Sequence, residues 1–124
     1  MNALFLVMAG GALGSAGRYL TGRATSTLLG PDWPWGTMTV NLLGGLLMGL
    51  LTGALARVAA PEGWRLFVAV GVLGGFTTFS SFSLDTVAMI ERGAVLPAFG
   101  YVIVSVLGSV IALFAGLSLT RVAA

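Results

Sequence analysis

Apolar residues run along this chain in four long uncharged stretches, 1–17, 33–56, 66–84 and 93–120, parted by short polar segments. Each is close to the roughly 20 residues that carry a helix across about 30 Å of hydrocarbon. The prolines Pro31, Pro34, Pro61 and Pro97 all fall between these stretches or at their ends. Proline there starts or stops a helix and leaves the interior straight. Trp33, Trp35 and Trp64 stand at the starts of stretches, the level at which an aromatic belt sits. The pattern predicts four transmembrane helices, about 3–28, 35–57, 64–91 and 95–120, in one domain spanning 1–124. The first stretch has no basic segment before it, so it reads as a permanent span and not as a cleaved signal.

Composition strengthens the membrane reading. Of the 124 residues 57% are hydrophobic and 8% charged, and the mean hydropathy is +1.02. Soluble domains carry about 25% charged residues. A chain of this size could not hide so much apolar surface in a soluble core. Cysteine and histidine are absent, which removes thiol and imidazole catalysis, disulfides and the usual zinc sites. No nucleophile–base pair or carboxylate cluster is present, so the chain is not expected to be an enzyme. The six arginines form no run, and nucleic acid is not an expected partner.

Charge placement bears on topology. With four spans, both termini and the second loop share one side, which carries Arg57, Arg65 and Arg121. The other side carries Arg18, Arg23 and Arg92. Orientation follows the Lys/Arg bias, and three against three is no bias. A chain without preference inserts both ways, and two opposed copies can pair about an axis in the membrane plane. Four helices are also too few to wrap a pore and still pack, so a homodimer is the smallest expected working unit. Gly10 and Gly14, and Gly45, Gly49 and Gly53, recur every four residues, a spacing that lets membrane helices approach closely.

Polar residues interrupt the spans in an ordered way. In the second span Thr37 and Asn41 precede the glycine stripe on one face. The Asn41 amide could offer donors to an anion or could glue two helices together. In the fourth span Tyr101, Ser105 and Ser109 form a hydroxyl ladder, about 12 Å long at 1.5 Å per residue. It ends at the apolar Leu113. Such hydroxyls either line a path or bond back to their own helix. Arg18 is a snorkelling cation or a charge that concentrates anions at a pore mouth. Asp85, near the end of the third span, is a functional candidate or another snorkelling group.

The third span carries the strongest signal, Gly74-Gly75-Phe76-Thr77-Thr78-Phe79-Ser80-Ser81-Phe82-Ser83. Two glycines, five hydroxyls and three phenylalanines do not belong in lipid. The glycine pair weakens the helix, and the following Thr77 and Thr78 can cap a second half. A break frees carbonyls that can coordinate a hard cation such as Na⁺. Phe79 and Phe82 share a helical face. Their ring edges are positive and can touch an anion weakly enough to release it.

The run from Gly74 to Phe82 (GGFTTFSSF), the glycine-rich first span ending in Arg18-Tyr19, and Asn41 in the second span resemble the Fluc, or CrcB, fluoride channels over essentially the whole chain. The resemblance implies an all-α integral membrane protein, an antiparallel dual-topology homodimer in the cell inner membrane that passively exports fluoride and confers fluoride resistance. It implies a Na⁺ on the dimer axis held by the backbone carbonyls of Gly74 and Thr77. It further implies a fluoride pathway past Asn41, Phe79, Phe82, Thr37, Tyr101, Ser105 and Ser109, with Arg18 at the vestibule. Leu113 departs from the pattern, standing where one more hydroxyl is expected. Two other readings are a small four-helix proton-coupled exporter of cations or drugs, which needs a carboxylate within a span, and a non-transporting assembly subunit.

Overall fold

A computed structural model describes residues 2–122, and all regular structure in it is helical. Helix α1 spans Ala3–Leu29; its N-terminus is capped by the Asn2 side chain, which accepts the Leu4 N–H at 2.8 Å. Gly30, at φ 84°, ends it; this left-handed conformation suits glycine. Helix α2, Trp35–Arg57, starts directly after Pro34. Helix α3 occupies residues 62–76. Its first turn, Glu62–Trp64, passes into π-helical winding over Arg65–Leu73 and returns to α geometry at Gly74–Phe76. Helix α4 is Phe79–Glu91 and α5 is Val95–Val122, joined by a tight turn with Gly93 at φ 85°. Four helical stretches, Ala3–Leu29, Trp35–Arg57, Glu62–Glu91 and Val95–Val122, are long and apolar enough to cross a membrane.

The third span is interrupted at Thr77 and Thr78, both extended (φ −82°, ψ 159° and φ −153°, ψ 124°). The interruption follows the glycine pair and does not fall on it. Gly74 is helical at φ −62°, ψ −38°, and Gly74–Phe76 is a helical turn. Gly75 serves contact instead, since a Cβ there would lie 2.7 Å from the Gly11 carbonyl oxygen. The winding resumes because the Thr78 hydroxyl accepts the Ser81 N–H at 3.1 Å, an N-cap.

Glycine contacts build the bundle from two close pairs. Helix α1 lies against α3, where a Cβ at Gly14 would be 2.0 Å from the Val72 carbonyl oxygen. Helix α2 lies against α5, where a Cβ at Gly49 would be 2.1 Å from that of Leu113. With little hydrophobic force between helices in lipid, such backbone approach supplies the packing. A small cluster of Phe82, Met89, Ala98 and Tyr101 seats α4 on α5. Large apolar side chains such as Leu28, Leu96, Ile111 and Phe114 point outward, as in a multi-pass membrane protein.

Candidate anion pathway

The site is built around the interruption. A helix that ends leaves its last carbonyls without intrahelical donors. The Leu73 carbonyl takes the N–H and the hydroxyl of Thr77, both at 3.0 Å. The Gly75 carbonyl accepts Arg18 Nε–H at 3.1 Å. Thr78 is held from α2: its carbonyl accepts Asn41 Nδ2–H at 2.9 Å, and its N–H donates to Asn41 Oδ1 at 2.8 Å. The Asn41 amide thus replaces a strand neighbour for one residue of extended chain. The carbonyls of Gly74 and Thr77 accept no hydrogen bond among the described residues.

A groove of about 390 Å³ opens beside this clamp, lined by Asn41, Thr77, Phe79, Phe82, Ser105 and Ser109 among others. Gly44 and Gly45 also line it, and a Cβ at Gly44 would lie 2.2 Å from the Thr77 methyl. Phe79 and Phe82 meet at 5.6 Å between ring centroids, inclined by 59°. Phe82 is 7% exposed and Phe79 is 77% exposed, so one ring is set in the wall and the other stands free at its rim. Leu113 also lines the groove.

The two groove serines differ from other hydroxyls in the bundle. Thr21, Thr25, Thr86 and Thr120 each donate back to a carbonyl of their own helix. Ser105 has no partner, although it is only 4% exposed and its Oγ is sealed from water. No intrahelical bond from Ser109 occurs among the described residues. A buried hydroxyl without a partner costs about 1–3 kcal/mol; Trp33 Nε1 is the other such atom among the described residues.

Tyr101, Arg18 and Thr37 do not line this groove. Tyr101 is fully buried behind Phe82, with centroids 5.2 Å apart, and its hydroxyl donates to Asp85 Oδ2 at 3.0 Å. Of the hydroxyl ladder, Ser105 and Ser109 line the groove together with Phe82, and Tyr101 packs against Phe82. Asp85 is a partner for that phenol, and neither residue lines the groove. Arg18 and Thr37 line a second hollow of about 510 Å³ with Arg23, Thr78 and Ser81. Thr78 borders both spaces, which makes it a shared threshold. Residue spacing marked Thr78 only as a cap; its capture by Asn41 depends on α2 lying across the interruption.

The whole chain has close relatives. A profile for the CrcB-like protein, Camphor Resistance (CrcB), matches residues 5–117. The chain belongs to the CrcB family. Among curated CrcB relatives, the "Fluoride-specific ion channel FluC" of Mesorhizobium japonicum is 53% identical over 121 residues, covering 98% of each chain. That of Caulobacter sp. (strain K31) is 56% identical over 98% of this chain and 96% of its own. That of Rhodospirillum centenum is 54% identical over 99% and 98%.

Proposed function

We infer that this CrcB-family chain is a fluoride-specific ion channel subunit that lets fluoride leave the cell passively. The observation that carries the reading is the groove lined together by Asn41, Phe79, Phe82, Ser105 and Ser109. A small, strongly hydrated anion crosses only where donors replace its water. The Ser105 and Ser109 hydroxyls and the second Asn41 Nδ2–H, which Thr78 leaves free, are such donors. The edges of Phe79 and Phe82 add weak positive potential without a fixed counter-charge, so the ion is not held too long. The fluoride-specific name of relatives more than half identical supports the choice of ion.

The working unit is an antiparallel homodimer in the cell inner membrane. Its supports are the even division of arginines between the two sides, a groove whose Phe79 rim stands 77% exposed, and the unpaired carbonyls of Gly74 and Thr77. A second, inverted copy would close the groove and set two pairs of carbonyls face to face. Oxygen donors of that kind suit a hard monovalent cation. Gly74 and Thr77 of each copy would hold Na⁺, which would supply positive charge where two helix ends meet.

Reconstituted protein, loaded with fluoride and read by a fluoride electrode, tests the reading. Rapid fluoride efflux without a proton gradient is expected. Flux that requires a proton gradient would favour a coupled exporter; that mechanism finds poor footing here, since α1, α2 and α5 carry no carboxylate.

A further inference from the structure

The Arg18 side chain has turned inward. It is half-buried, and its Nε–H reaches the Gly75 carbonyl 57 residues away. That carbonyl lies between those of Gly74 and Thr77, which, like that of Phe76, accept no hydrogen bond among the described residues. Leu73 is closed by Thr77, Gly75 by Arg18, and Thr78 by Asn41. The Arg18 bond fixes the plane of the Gly75–Phe76 peptide, which is one Cα from the Gly74 carbonyl and two from that of Thr77, and so limits the torsions open to both. The guanidinium also offsets the negative end of the helix dipole of α3, which would otherwise draw in water or loosen the turn.

We propose that Arg18 is a positioning residue for the axial cation site: its hydrogen bond to Gly75 holds the Gly74 and Thr77 carbonyls in place for Na⁺. This rests on the cation site of the function proposed above, and it assigns Arg18 a task other than concentrating fluoride at the mouth. The distinction lies in geometry. A mouth charge needs only its positive sign, whereas the Gly75 bond needs the directional Nε–H, which lysine lacks.

Arg18→Lys and Arg18→Gln separate these roles. Fluoride efflux and the thermal unfolding midpoint are each measured while NaCl replaces N-methylglucamine chloride at constant ionic strength. Loss of a group that orients metal ligands typically weakens metal affinity about 10–100-fold. Both variants are therefore expected to need about 10–100-fold more Na⁺ for half-maximal protection against unfolding, with flux following the same shift. Protection is read in detergent on any variant that remains helical, so it does not require conduction. An unchanged Na⁺ midpoint in both variants, or normal behaviour of Arg18→Lys with loss only in Arg18→Gln, would overturn the proposal in favour of a charge at the mouth. If the wild-type protein gains no protection from Na⁺, the cation site itself fails, and this assignment with it.

Discussion

Removing the Asn41 amide separates the two tasks its position allows. Asn41→Ala strands the N–H and the carbonyl of Thr78, which now bond to the amide at 2.8 and 2.9 Å. A single interhelical side-chain bond in a membrane protein averages about 0.6 kcal/mol, because the unfolded reference finds other partners. Thr78 is extended and has no helical partner to return to. The figure for stranding a buried polar group, about 1–3 kcal/mol each, is an upper bound because Thr78 is part-buried, and the low end, about 2 kcal/mol for the two, is expected. For a domain of this size that lowers the melting temperature by roughly 5–10 °C. Asn41→Asp keeps the acceptor for the Thr78 N–H but sets a carboxylate oxygen against the Thr78 carbonyl, so it too is destabilised. Both variants should also lose fluoride flux, since Thr78 launches the helix that bears Phe79 and Phe82. The assay is thermal unfolding in detergent alongside efflux from liposomes. If Asn41→Ala melts like wild type while conducting poorly, the amide serves the anion alone and the clamp argument is refuted.

Two further substitutions probe the groove and the packing that forms it. Ser105→Ala removes a buried hydroxyl that has no partner. It should leave stability unchanged or raise it by about 1 kcal/mol while slowing fluoride efflux; a clear drop in melting temperature would mean that Ser105 is structurally bonded. Gly49→Ala places a methyl 2.1 Å from the Leu113 carbonyl oxygen, a contact with backbone that cannot be relieved by a rotamer. Overpacking of this sort costs about 1–3 kcal/mol, and it should part α2 from α5 and reduce flux together with stability. Normal melting and flux would show that the pair of helices can slide without consequence.

Much of this architecture is written locally. The four spans follow from uncharged length, and their ends follow from prolines and tryptophans that stand outside them. The four-residue glycine spacing marks lines of close approach because the missing side chain is felt directly by the facing helix. The interruption of the third span was harder to place. Gly74 and Gly75 look like the weak point, yet both remain in the helix, and one is needed for contact with Gly11. The extended residue Thr78 is held by Asn41 across 37 residues, which no local pattern expresses. The hydroxyl ladder follows from residues four apart sharing a helical face, but the packing of Tyr101 against Phe82 and its bond to Asp85 come from α4. The choice between an anion donor and a helix glue at Asn41 also turned on where α2 lies, and geometry gives the amide both a clamp and a spare donor. The π winding over Arg65–Leu73 has no evident sequence mark.

The most direct test of fluoride passage through this groove compares wild-type protein with Phe82→Ile in the same liposome assay, at about one protein unit per vesicle. Phe82 is the ring set in the groove wall, and isoleucine keeps its apolar character while removing the polarised edge. The account predicts fast fluoride efflux from wild-type vesicles and a strongly reduced rate in the variant, with both preparations eluting alike by size exclusion. Equal rates from two well-assembled proteins would contradict it.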